Sequence, residues 1–435
     1  MTQFERCNIG SIRLHVLPTD RFKTYALAVF IGQPLNEEWI TAGALTPYVL
    51  RRGNRRYPET RSFRMKLDEL YGAGFGFDIS KRGDYQIAQF RLDIINDRFV
   101  NEGKSFLKEA LQYVGETLTD PYVEGHGFKP VYVAQEKETL KRRIESLIND
   151  KIRYAAERCI EEMCKGDPYR LSPLGKLEHI SNQSEETLYQ YYQEWLNRSI
   201  IDVYVVGDTT LKETSQYIKE YFKIPERSQI EQDYRQTAYR SDTREVKRVT
   251  DRLDVTQGKL NMGFRAYATY SDEAYPAALM YNGILGGYPH SKLFVNVREK
   301  ASLAYYAASR LDGHKGILTI QSGIEIKNKE KAAEIILKQI DAMKEGSITD
   351  LEIDQTRAMM TNQLREIQDS AFEMIGFDFN RVLSGTLNAS VGEMIEAISR
   401  VDKNQIQQYA EKVELDTIYF LRNREGRAGD ESNKA

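Results

Sequence analysis

The chain has 435 residues, with 61 lysines and arginines set against 64 aspartates and glutamates. That length accommodates two or three domains, each with its own core, and the near-neutral balance favours neither nucleic acid nor an anionic membrane as the main partner. Three cysteines, Cys7, Cys159 and Cys164, are too few for a disulfide framework and suit a reducing compartment.

The amino terminus, MTQFERCNIGSIRLHVLPTD, lacks the uninterrupted apolar segment of a signal peptide, and no apolar run approaches the roughly 20 residues that span a bilayer. A cytoplasmic location is expected. Ile12–Leu17 and Tyr25–Ile31 read as a strand pair about a turn at Pro18 to Asp20. A helix follows over about Ala42 to Arg52, stopped by Gly53; Pro47 inside it costs about 3 kcal/mol unless the helix starts later, near Thr46. Phe63, Leu67, Leu70 and Tyr71 keep a helical period, and AGFGFDISKRGDYQIAQFRLDII reads as a hairpin. Cys159 and Cys164 flank Glu161 and Glu162, but five residues apart on a helix they diverge, so both are assigned to packing. Val203–Val206, closed by Gly207 and Asp208, reads as the last strand of this half.

Residues 224–246 are polar and aperiodic, which marks a linker. The pattern then restarts with a strand over Val255–Ala266, a helix over Ala274–Leu285, a hairpin over Leu303–Ile324 and helices over Lys329–Lys344 and Leu351–Ser370. The strand, helix, hairpin, helix order is repeated at half the chain length, which signals an internal duplication. A last strand, Thr417–Leu421, precedes EGRAGDESNKA, whose composition predicts a disordered tail.

The stretch GILGGYPHSKLFVNVREKASLAYYAAS, from Gly283 to Ser309, is the most informative. Gly286, Gly287 and Pro289 break the preceding helix, and Ser291 is expected to cap the next, whose buried face is Leu293, Phe294 and Val297. Arg298 lies near the end of that helix, and the following strand carries Tyr305 and Tyr306 on opposite faces by its period of two. A guanidinium and a phenol are both donors, and a pair aimed at one point suits a carbonyl oxygen that gains negative charge during attack. Packing explains the same residues: arginine complements the dipole at a helix end, and tyrosine is common in strands.

LGGYPHSKLFVNVREKASLAYY resembles the second-half signature of the pitrilysin-type M16, processing-peptidase-like metallopeptidases, with its glycines, Ser-x-Leu and Arg-Glu-x-x-x-Leu-x-Tyr in this order. The resemblance runs back through Asp167-Pro168-Tyr169 and covers the first half from about residue 10 to 222. It implies an α+β fold of two homologous halves, each a mainly antiparallel sheet packed with helices, around a central chamber. The halves are then 1–223 and 247–424, with the linker 224–246 between them and the tail at 425–435. It also implies that Arg298 and Tyr305 bind the substrate backbone and assist a zinc site, with Gly286, Gly287 and Ser291 at the substrate chamber. A narrower resemblance is to the paired processing-peptidase-like proteins of Bacillus and its relatives, some of them named for modification of elongation factor P.

The family carries an inverted zinc motif, His-x-x-Glu-His, in the first half, where two histidines on one helix face bind the metal and the glutamate serves as base. The corresponding run here is AGALTPYVLRRG, with Ala44 and Tyr48 at the histidine positions and Pro47 at the glutamate. The third ligand belongs to a glutamate pair seven residues apart; Glu136 matches the first and Arg143 stands at the second, although a start at Glu138 would reach Glu145. Alanine and proline offer no donor, and tyrosine is a poor ligand at neutral pH. His15, His126, His179, His290 and His314 have no ligand spacing on one element.

Two functions remain open. In the first the chain is the metal-free subunit of a heterodimeric zinc peptidase, with no cofactor of its own, zinc in a homologous partner and a peptide as substrate. In the second it is a catalytically inert scaffold or peptide-binding protein.

Overall fold

The structure, a computed structural model, describes residues 3–100, 103, 105–224, 233–239, 245–386 and 390–424; the tail 425–435 lies outside them. The described residues within Met1–Glu145, Leu171–Tyr234 and Gln368–Asn380 pack into one compact unit, and those within Ser146–Arg170, Arg235–Ile367 and Arg381–Ala435 into a second.

The first unit is built on strands β1 (Glu5–Ile9), β2 (Ile12–Pro18), β3 (Thr24–Pro34), β4 (Gly74–Arg82) and β5 (Tyr85–Ile95), a short β6–β7 pair (Val123–Glu124 and Gly127–Phe128), and β8 (Ile200–Gly207). The main sheet runs β1-β2-β8-β3-β5-β4. Its centre is β3 and β8, whose near-continuous apolar runs are covered on both faces. The edges are exposed or half-buried along most of their length, and β1 is short and mostly polar, which is why it is hard to see in the sequence. Gly10 at φ +56° and Gly83 at φ +55° sit in the two-residue turns that join β1 to β2 and β4 to β5, where only glycine is unstrained.

The second unit repeats the arrangement with β9 (Lys247–Leu253), β10 (Gly258–Arg265), β11 (Ala304–Asp312), β12 (Ile317–Ile324) and β13 (Glu414–Asn423), in the order β11-β12-β10-β13-β9. Read from the other end, this matches β2-β8-β3-β5-β4 strand for strand. Even the parallel pair, β2 with β8 and β13 with β9, falls at the same place. The duplication expected from element order is therefore present in the sheet topology, and it makes β4 and β11 equivalent edge strands.

Each unit is completed by a helix from elsewhere in the chain. The Lys151–Met163 helix packs in the second unit, burying Ala155 and Cys159 against Tyr419 and Leu421. In the first unit Phe379 stacks on Phe30 with ring centroids 3.7 Å apart. Helical periodicity identifies such segments as amphipathic but not the sheet they cover. Burial pushes the Cys159 thiol up to about 12. It is expected to stay unmodified by iodoacetamide in the folded protein while the half-buried Cys7 reacts, as peptide mapping after native and denatured labelling would read.

The described parts of the segment expected to be a linker are anchored, not free. Tyr234 lies beneath the Arg13 guanidinium, 5.0 Å from the ring centroid, and donates to Asp202 at 3.1 Å. Tyr239 donates its hydroxyl to the Met163 carbonyl at 2.7 Å. Asp202, fully buried on β8, also accepts from Arg13 (2.7 and 2.5 Å) and meets His15 Nε2 at 2.7 Å, both on the neighbouring β2. Arg6 bonds His15 and binds Asp378, which accepts in turn from the Tyr204 hydroxyl at 2.9 Å. Among the described residues no helix is long and apolar enough to cross a membrane.

Candidate functional site

The helix that carries the family's zinc motif spans Ile40–Leu50 and is buried along its whole length. It starts before the expected Ala42, so Pro47 lies well inside it and not near its first turn. Gly43 permits the close approach to the sheet: a Cβ there would lie 2.3 Å from Gln86 Oε1 and 2.4 Å from Gln33 Nε2. Ala44 faces inward with no donor atom. Tyr48, 4 % exposed, sets its ring edge-on to Phe77 of β4, with centroids 4.8 Å apart.

The Tyr48 hydroxyl accepts a hydrogen bond of 2.9 Å from Arg143, whose other arm reaches Asp78 at 3.2 Å. The structure thus brings together the second-histidine position and the second-glutamate position, and joins them by a phenol and a cation. Glu136, one helical face with Arg143 on the Pro130–Asn149 helix, is buried and paired with Arg52 at 3.4 Å. The alternative pair, Glu138 and Glu145, is exposed, so the Glu136 and Arg143 register is the one that faces the motif helix. Burial lifts the Glu136 carboxyl above its ordinary range, against the opposing pull of Arg52 and Arg51.

Catalytic zinc needs about three protein ligands from imidazole, carboxylate or thiolate. This position offers two carboxylates, Glu136 and Asp78, each paired with a guanidinium that never deprotonates, so the residues present fall short of three ligands and do not fit the metal. Among the described residues no three His, Cys, Asp or Glu side chains gather into a possible metal site. His15 is held by Asp202 and His290 by Thr356 at 2.9 Å, which accounts for two of the five histidines as packing groups.

In the second unit the Tyr275–Asn282 helix widens into a π-helical turn over Gly283–Gly287. Gly286 is pressed against β11, where a Cβ would lie 2.5 Å from the Ser309 nitrogen; Gly287 is exposed. Gly286→Ala is expected to destabilise the chain by about 1–3 kcal/mol through overpacking, read from urea unfolding. Ser291 does not cap the next helix as expected. Its side chain is fully buried, its Oγ meets no hydrogen-bonding partner among the described residues, and its carbonyl instead accepts from the Val295 N–H at 2.9 Å.

Leu293 and Val297 form the buried face of that helix, which is π-helical over Phe294–Lys300. Its exit is unusual. Ala301 N–H reaches back to the Asn296 carbonyl (3.3 Å) and Leu303 N–H to that of Val297 (3.1 Å), with Ser302 at φ +51°. A left-handed non-glycine residue costs about 1–3 kcal/mol and persists where the surroundings over-determine it. The strand begins with a bulge: Ala304 pairs with Ile324 and Tyr306 with Gly323, leaving Tyr305 as the extra residue.

The bulge overturns the simple alternation expected for the two tyrosines. Tyr306 lies across Gly323, with its ring centroid 5.7 Å from Lys259 Nζ, and burial pushes its phenol up to about 12. Tyr305 is 58 % exposed. Arg298 is exposed too, its guanidinium 4.6 Å from the centroid of Phe294. Neither Arg298 nor Tyr305 makes a hydrogen bond or ion pair with the described residues. Both sit beside the outer edge of β11, as Tyr48 and Arg143 sit beside that of β4.

A family model described as "Peptidase M16 inactive domain" matches residues 183–360. The chain is 41% identical over 419 residues to the "Probable inactive metalloprotease YmfF" of Bacillus subtilis, covering 96% of this chain and 97% of that protein. It is 22% identical over 246 residues, 55% of this chain and 58% of the other, to the "Uncharacterized zinc protease YmxG" of the same organism. The crystal structure of a conserved protein from Enterococcus faecalis V583 is similar with a TM-score of 0.90 and 30% identity, over 97% of this chain and 99% of that one. With its metal-ligand and general-base positions occupied by alanine, tyrosine, arginine and proline, the chain belongs to the M16 peptidase family as an inactive member.

Proposed function

We propose that this chain is the metal-free subunit of a two-chain zinc peptidase, presenting Arg298 and Tyr305 to a zinc site held by a homologous partner. The observation that carries the reading is the state of those two side chains. Both are exposed, neither is spent on an internal hydrogen bond or ion pair among the described residues, and both are set by locally costly backbone, the left-handed Ser302 and the bulge at Tyr305. An inert scaffold needs no such pair. Two donors fixed before reaction stabilise a developing oxyanion without reorganising. The likeness to a zinc protease alongside that to an inactive one supports the pairing of a metal-bearing chain with a metal-free chain.

The substrate is an extended peptide, held by main-chain hydrogen bonds to a sheet edge. Zinc belongs to the partner, and this chain supplies no ligand to it. The test is purification of the tagged chain from its own cells, followed by mass spectrometry and metal analysis. A co-purifying M16 homologue with an intact His-x-x-Glu-His motif and about one zinc per pair is expected. Recovery of the chain without such a homologue sinks the reading.

A further inference from the structure

At the position where catalytic relatives hold a cation, this chain concentrates cations of its own. Arg143 is bonded to Tyr48 and Asp78. Arg52 lies over Tyr132, 5.0 Å from the ring centroid, and pairs with Glu136. Arg51 lies over Phe77, 5.1 Å from its centroid, and makes no hydrogen bond or ion pair with the described residues. Among the described residues three guanidinium groups therefore face two carboxyls, Asp78 and Glu136.

Two polar atoms on buried side chains have hydrogen-bonding capacity that the described residues do not fill. The Tyr48 hydroxyl accepts from Arg143, so its own proton is left to donate, and among the described residues it meets no acceptor, although the side chain is only 4 % exposed. Glu136 Oε2 is likewise buried without a partner. A hydroxyl polarised by a cation is a strengthened donor, and buried donors are rarely left unused. An oxyanion accepting from Tyr48 and Arg51 satisfies the first and supplies the missing negative charge.

We propose that this converted metal position is a carboxylate-binding site, which grips the carboxylate of an extended peptide lying beside β4. The proposal rests on the peptide-binding part of the reading above but not on Arg298, Tyr305 or a zinc-bearing partner. Arginine suits the role because its planar fork matches a carboxylate, and charge-assisted bonds are the stronger kind. The carboxylate comes either from the peptide's C-terminus or from an acidic side chain; the chemistry is shared.

The test uses the full chain and dansylated octapeptides of alternating threonine and alanine, titrated by fluorescence. One ends in a free carboxylate, one in a carboxamide, and one is a carboxamide with a single internal glutamate. The free acid or the glutamate peptide is expected to bind at least about tenfold more tightly than the plain amide, the worth of one charge-assisted bond; which of the two does so identifies the source. Arg51→Gln and Tyr48→Phe should each erase most of that preference while leaving weak amide binding in place, and a unchanged melting temperature for Arg51→Gln shows the fold intact. Equal affinity for all three peptides, a preference that survives both substitutions, or no binding of any of them overturns the proposal. Equal but measurable binding leaves peptide capture standing, and an intact preference with no effect of Arg298 or Tyr305 on a partner's activity leaves this site standing alone.

Discussion

Arg298→Ala, assayed with the zinc-bearing homologue, is expected to lower kcat/KM for a fluorogenic peptide by about 10²–10³-fold, the loss typical of one oxyanion donor. Tyr305→Phe removes a single hydroxyl and should fall in the same range. Neither substitution should unfold the chain. Arg298 and Tyr305 are exposed, and surface changes away from special contacts are usually worth within about 0.5 kcal/mol. The combination of a large kinetic loss and an unchanged unfolding curve separates a chemical role from a packing one. Tyr306→Phe serves as the contrast, because that ring lies over Gly323 and its hydroxyl is not the one the bulge leaves exposed. Full activity of the Arg298 and Tyr305 variants would contradict a role in trans.

Asp202→Ala is expected to cost about 3–5 kcal/mol of stability, the usual penalty for stripping one partner from a buried ion pair. Asp202 is fully buried, and its removal leaves Arg13 and His15 facing each other with no anion between them. Burial alone would raise the Asp202 carboxyl, but the bond to His15 and the charge of Arg13 more than offset it and hold the group below its ordinary value. A carboxylate depressed in the folded state contributes stability that is fully present above its unfolded value, about 3.9. That contribution is lost as pH falls through the lower folded value. Urea unfolding of the native chain should therefore weaken steeply below about pH 4, and Asp202→Asn should be less stable at neutral pH with a flatter acid limb. Parallel acid limbs would show that the network is not what fails in acid.

Much of this was legible in the sequence, and what was not has a common cause. Strands β2, β3, β5, β10 and β12 announce themselves because they are apolar and central, and the helix Lys329–Lys344 keeps its period to the residue. Strands β1 and β9 were invisible because they lie at sheet edges, are mostly polar and bury no side chain fully, so they carry little apolar signal. The replacement of the zinc ligands could be read position by position, since a motif is a local pattern. Its physical outcome, Arg143 bonded to Tyr48 across 95 positions of sequence, could not. The network around Asp202 had one clue: an aspartate inside the apolar run IIDVYVVG must find a cation, and Arg13 and His15 are spaced two apart on a strand, hence on one face.

The bulge at Tyr305 is the instructive failure. Strict alternation assigns the two tyrosines to opposite faces, and only the pairing of Ala304 with Ile324 and Tyr306 with Gly323 reveals the extra residue. Register is a property of two strands together, so one strand's sequence does not contain it. The same limit hid the wide exit of the helix before it, where the left-handed residue is a serine and not a glycine.

The most direct measurement is peptide hydrolysis by three samples at equal concentration: this chain, the zinc-bearing homologue, and the two mixed, each with its zinc content determined. The account predicts little or no turnover from either protein alone, activity on mixing, and zinc that follows the homologue. Hydrolysis by this chain alone with tightly bound zinc, or a mixture no faster than the homologue by itself, would contradict it.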